Sequence, residues 1–124
     1  MNLTTINPDE QYCYLTTTGR VSGEPREIEI WFGLIGSSVY MLSGSGEDER
    51  GPKAHWVRNI LKEPHVTVRI DDVTYEGTGR VVERGTDEDA AARALVVPKY
   101  QAGYSNDLTS WGRTSVVVAV DLDR

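Results

Sequence analysis

Two arginines, Arg20 and Arg26, flank a short turn in the stretch TTTGRVSGEPR that begins at Thr16. Gly19 and Gly23 can adopt positive φ, so the turn is able to aim backbone N–H groups to one side, and Ser22 adds a hydroxyl. Such a cluster makes a small anion nest. The same residues also suit an ordinary hairpin loop whose arginines face solvent. A second glycine-rich segment, LSGSGEDERGPK, runs from Leu42 to Lys53. A loop of this kind feeding a helix can hold phosphate or carboxylate on N–H groups. Its attractive part is Ser43, Gly44, Ser45 and Gly46; Glu47, Asp48 and Glu49 repel an anion, and a plain surface loop is the competing reading. The GxxxxGK[ST] phosphate loop is absent. A third segment, PKYQAGYSNDLTSWGR, gathers Tyr100, Tyr104 and Trp111 with Lys99 and Arg113. It is suited either to a pocket for a flat, polar ligand or to capping the end of a β-structure.

Other chemistries find little support. His55, His65 and Cys13 are the only His and Cys residues, too few for a zinc site of three or four such ligands. Cys13 sits mid-strand without a basic neighbour and reads as core. No G-x-S-x-G elbow occurs, and Glu27 and Glu29 read as a solvated strand face. The chain carries 13 basic and 19 acidic residues, net −6, which argues against a nucleic-acid binder. No apolar run approaches a membrane span, and MNLTTINPDEQ has no signal-peptide features. With a single cysteine, a cytoplasmic setting is expected.

The elements that must position these residues are mainly strands. The 124 residues read as one domain, with 1–10 as a loose lead. Strands are predicted over Gln11–Thr18, Arg26–Leu34, Val39–Ser43, His65–Ile70, Val73–Val82 and Thr114–Leu122. Gly36-Ser37-Ser38 and Asp71-Asp72 supply turns. Gly77 and Gly79 hint at a bulge or tight curvature in the fifth strand. One helix is expected from near Pro52 to Glu63, with Trp56, Val57, Ile60 and Leu61 as its apolar stripe. Another should follow Gly85, capped by Thr86 and ending at Pro98. About six antiparallel strands with two or three helices suggest a mainly β fold, a small antiparallel barrel.

Taken in order, TTTGRVSGEPREIEIWF, VYMLSGSG, HWVRNILKEPHVTVRI and KYQ…SWGRTSVVVAV resemble the deazaflavin-dependent nitroreductase family. That family belongs to the flavin-reductase-like split β-barrels, related to the pyridoxamine 5′-phosphate oxidases, and the resemblance spans Tyr14 to Val120. It implies a split β-barrel, often a homodimer, that binds coenzyme F420 or FMN. The implied reaction is hydride transfer from reduced F420 to a nitro compound, quinone or enone; the alternatives are an FMN oxidoreductase or a non-catalytic flavin or lipid carrier. By the same resemblance, Arg20, Ser22, Gly23 and Arg26 lie near the cofactor's anionic chain, and Ser43, Gly44, Ser45 and Gly46 contact the cofactor. Trp56 and Asn59 border the deazaflavin, and Tyr100 and Tyr104 line the substrate pocket, where a hydroxyl would donate to the acceptor's developing oxyanion. The chain departs from its relatives at Val21, where they commonly have Lys, and at Gly44-Ser45, where several have Ser-Lys. Lys53 and Arg50 are placed to compensate.

Overall fold

The computed structural model describes residues 6–43 and 55–123. Along the chain these form β1 (Cys13–Thr18), β2 (Pro25–Ile30), β3 (Gly33–Ile35), β4 (Ser38–Ser43), α1 (His55–Lys62), β5 (His65–Ile70), β6 (Val73–Val81), α2 (Asp87–Gln101), α3 (Thr109–Thr114) and β7 (Val116–Leu122). All strand pairs are antiparallel, in the order β2-β1-β5-β6-β7-β4-β3. The two edge strands, β2 and β3, are consecutive in sequence and separated only by Trp31 and Phe32. Two residues cannot span an open seven-stranded sheet, so the sheet must curl until its edges meet. The fold is therefore a split barrel, as the resemblance implied, with seven strands where the pattern predicts about six.

Alternation decides which side chains fill it. Leu15, Phe32, Met41, Val66, Val68, Ile70, Val118 and Val120 point into one cluster, closed by Val57 and Ile60 of α1. The opposite face of β4 and β7 packs Tyr40, Leu42, Val117 and Ala119 against Ala92, Val96 and Tyr100 of α2. Burial on both faces explains why these two strands read as nearly continuous apolar runs.

Several expectations need correction. The predicted strand over Arg26–Leu34 is two strands: Ile30 is the last residue paired with β1, opposite Cys13, and the chain then turns the corner to β3. Gly77 and Gly79 make no bulge, since β6 pairs without a break to β5 from His65↔Thr78 to Ile70↔Val73 and to β7 from Gly77↔Leu122 to Val81↔Val118. They allow close approach instead: a Cβ on Gly79 would lie 2.8 Å from Ile60 of α1, and one on Gly77 2.7 Å from Val120. The second helix continues through Pro98 to Gln101, because Lys99 and Tyr100 are anchored to buried carbonyls as described below. The short α3, a third helix, lies between Pro98 and the last strand, where the pattern places no element, and it takes in Thr114, the predicted first residue of that strand. Leu61, assigned to the apolar stripe of α1, faces solvent. The predicted start of that helix near Pro52 lies outside the described residues.

Local signals did fix other ends. Asp71 and Asp72 both have positive φ, 52° and 64°, giving a tight two-residue hairpin. Thr86 caps α2 by accepting a hydrogen bond from the Asp89 N–H at 3.2 Å. Arg84 donates to the carbonyls of Arg113, Thr114 and Ser115, which fixes the end of α3.

Candidate active site

The turn between β1 and β2 is built by its own hydrogen bonds. The Gly19 N–H donates to the Glu24 carbonyl and the Gly23 N–H to the Gly19 carbonyl, both at 2.8 Å. Gly23 has φ 75°, which a side chain would strain. Ser22 Oγ accepts from the Glu24 N–H at 3.1 Å and from Arg26 Nη2 at 3.3 Å. The amides of Gly19, Arg20, Gly23 and Glu24 are thus engaged within the protein. The sequence suggested an anion nest of backbone N–H groups; most of those groups are spent in holding the turn. The capacity for an anion lies with the two guanidinium groups.

Helix α1 fixes one of them. Asn59 is only 3% exposed, and its side-chain carbonyl accepts from Arg20 twice, from the backbone N–H at 3.2 Å and from Nη1 at 2.9 Å. Its Nδ2 donates to the buried Thr17 hydroxyl at 3.1 Å. Arg20 Nη2 lies 3.1 Å from His55 Nδ1, and Lys62 Nζ donates to the Arg20 carbonyl at 2.7 Å. One helix therefore latches the turn at three levels, and Asn59 is the buried pin. Both its side-chain polar atoms have partners, and no buried side-chain polar atom among the described residues lacks one.

Turn, β2 and α1 enclose a cavity of about 640 Å³. Arg20, Arg26 and Ser22 form its polar wall, and Trp56, Ile28 and Val21 an apolar one; His55 and Asn59 stand at the helix side. Val21 is 94% exposed. Of the expected cofactor residues, Arg20, Ser22, Arg26, Trp56 and Asn59 thus converge on one cavity. Gly23 shapes the turn beside it. Ser43 is buried at the end of β4. Gly44, Ser45, Gly46 and Lys53 lie outside the described residues. His55, which the sequence offers only as a metal-ligand type, lines the cavity, and its place directly before Trp56 is the signal for that.

The two tyrosines lie elsewhere. Tyr100 is 5% exposed and stacks on Trp31, ring centroids 4.4 Å apart at 3°. Its hydroxyl accepts from the Phe32 N–H at 2.9 Å, and its one proton faces the Gln11 carbonyl at 2.6 Å and the Phe32 carbonyl at 3.1 Å. Burial pushes its pKa up to about 12. That proton is committed to backbone carbonyls of the core. Lys99 completes the anchor by donating to the carbonyls of Glu10 and Phe32 at 2.8 and 2.9 Å. Burial lowers its pKa. Tyr104 is 42% exposed, edge-on to Trp31, at the rim of a separate hollow of about 290 Å³. Neither tyrosine lines the first cavity. Cys13 is fully buried and its thiol is pushed up to about 12 by desolvation, as befits a core residue.

Residues 4–123 match the F420H(2)-dependent quinone reductase family. The chain belongs to that family. It is an oxidoreductase, and its cofactor is F420. Solved structures agree in fold. One described as an F420-H2 dependent reductase is 23% identical, with a TM-score of 0.63 over 88% of this chain and 92% of the other. An F420 reductase is 20% identical, with a TM-score of 0.64 over 100% and 95%. A protein solved as a domain-swapped dimer is 27% identical, with a TM-score of 0.68 over 88% and 78%. The cavity fits the family's cofactor in kind: two fixed cations answer an anionic chain, and the apolar wall with Trp56 answers a flat heteroaromatic ring. No helix among the described residues is long and apolar enough to cross a membrane.

Proposed function

We propose that this protein reduces a quinone, nitro compound or activated enone, and that the cavity between the β1–β2 turn and α1 holds F420. The single observation that carries this reading is the convergence of Arg20, Arg26 and Trp56 on one cavity of about 640 Å³. When bound, reduced F420 supplies the hydride.

The chain supplies position, charge and an apolar wall. Arg20, held by Asn59 and His55, and Arg26, held by Ser22, offer cations whose rotamer freedom is already reduced. Trp56, Ile28 and Val21 line the cavity with apolar surface, which favours a planar ring. Tyr104 stands at the rim of the separate hollow beside Trp31, so a role for its hydroxyl requires an acceptor that reaches from that hollow to the cavity.

The test is fluorescence titration of the protein with F420 and, separately, FMN. F420 should bind, and replacing both Arg20 and Arg26 with Ala should weaken it at least about tenfold. Acceptors are then screened by the loss of reduced F420. Unchanged affinity in the double variant would place the cofactor outside this cavity. Tighter FMN binding would move the protein to flavin chemistry, and binding without turnover of any acceptor would leave a carrier.

A further inference from the structure

The hollow bordered by Trp31, Tyr100 and Tyr104 shares no lining residue with the cavity beside α1. It lies where β2 passes to β3, between the segment before β1 and the end of α2. Its aromatic side is fixed in place. Trp31 stacks on the buried Tyr100 and is held edge-on by Tyr104 and by Trp111, the latter with ring centroids 5.6 Å apart. Its polar side has capacity to spare. The Lys99 ammonium has three donors and spends two of them on the Glu10 and Phe32 carbonyls. Asp9 adds an exposed carboxylate.

Gly103, also on the wall, is an independent sign that this space is kept open. Each of the other described glycines either has positive φ or packs so closely that a Cβ would lie under 3 Å from a neighbour. Gly103 does neither, and a Cβ there would meet nothing within 4 Å. Neither backbone conformation nor packing calls for glycine at this position; an unobstructed approach from the hollow does.

We propose that this hollow is a second binding site, for an uncharged planar aromatic of one ring or two fused rings that carries carbonyl or hydroxyl oxygens. Ligand pockets run from about 300 to 1,000 Å³, so a hollow of about 290 Å³ suits a small ring system and not a whole cofactor. The flat Trp31 and Tyr104 surfaces favour a ring, and the spare Lys99 donor and the Asp9 carboxylate answer its oxygens. Lys99 is the one cation and Asp9 the one anion lining the hollow, and the Glu10 carboxylate also acts on Lys99. The five residues before Ile6 add no charged side chain. A free anion therefore gains little here.

The proposal does not depend on where F420 binds. The test titrates 7-hydroxycoumarin, at pH 6 where it is uncharged, into the full chain with and without excess F420, followed by proton–nitrogen NMR. Saturable shifts below about 1 mM should appear at the Gly103 and Tyr104 amides and the Trp31 indole, and should persist with F420 present. Gly103→Phe fills the hollow and should weaken binding more than about tenfold, while its thermal midpoint and its response to F420 stay those of wild type. Tyr104→Ala, at an exposed position, should weaken it about threefold to tenfold. 2-Naphthoate, of similar size but anionic, should bind more weakly than the coumarin. Absence of saturable shifts, shifts confined to the cavity beside α1, tighter binding of 2-naphthoate, or wild-type affinity in G103F would each overturn the proposal. Were G103F not to fold, wild-type affinity in Y104A would do so. Failure of F420 to bind would defeat the cavity assignment and leave this site to the coumarin titration alone.

Discussion

At the scale of single residues, the tyrosines show how neighbours in one sequence segment part in space. Lys99, Tyr100 and Tyr104 sit together in sequence, yet α2 turns Tyr100 inward and leaves Tyr104 at the rim. Replacing Tyr100 with Phe strips a partner from the buried Phe32 N–H and from the Gln11 carbonyl, which costs the desolvation of both. We expect Y100F to lose about 1–3 kcal/mol in urea denaturation, and Y104F to stay within about 0.5 kcal/mol of wild type. Equal midpoints for both variants would refute the anchoring role. Which tyrosine is buried was not legible in the sequence, because burial here depends on Pro98 failing to stop the helix. The turn arginines were legible as a pair. The latch that fixes Arg20 was not, since Asn59 and Thr17 are 42 residues apart and meet only when α1 docks.

At the scale of elements, hydrophobic period located most strands, and His65–Ile70 to the residue. Its limits appeared where two elements share one pattern. Alternation from Ile28 through Phe32 to Leu34 continues across the corner between β2 and β3, because both strands face the same interior; only pairing partners mark the break. The glycines of β6 carried a real signal, but a bulge and a close approach look alike in sequence. Gly79 is the seat on which α1 rests, and α1 carries Trp56, Asn59 and His55 to the cavity. Gly79→Ala would press its methyl to 2.8 Å of Ile60, whose neighbours leave it little room to yield. Overpacking of this kind costs about 1–3 kcal/mol, and displacement of α1 should weaken F420 binding in the same variant. Both are measurable, by thermal unfolding and by titration. Lost affinity at full stability would mean that the helix moves without strain, and no loss of either would show that the contact is loose.

At the scale of the whole molecule, a polar clamp ties α2 to the sheet on the face away from α1. Arg80 of β6 donates to both Glu88 oxygens at 2.7 and 2.6 Å and to Asp121 of β7 at 2.7 Å. Tyr40 of β4 donates to Glu88 at 2.6 Å, and Ser38 to Asp121 at 2.7 Å. Three strands and a helix thus meet at two carboxylates. The Arg80 hydrogen bonds hold Glu88 down to about 2, and the same guanidinium lowers Asp121. Asp89 is lowered by Arg93, which also donates to the Gly112 carbonyl of α3. All three groups bind protons more weakly folded than unfolded, so the unfolded state takes up protons first as pH falls. Their contribution is complete above the unfolded carboxylate range, about pH 4 to 4.5, and is lost progressively towards pH 2. Urea denaturation at pH 6, 4 and 3 should show stability falling steeply between the last two. In Glu88→Gln, stability at pH 6 should already be lower and the acid slope shallower, because one titrating member of the clamp is gone. The clamp is partly open to solvent, so its effect should also shrink in high salt. An acid slope unchanged by E88Q would shift the linkage to Asp89 and Asp121, the remaining lowered carboxylates of the α2 interface.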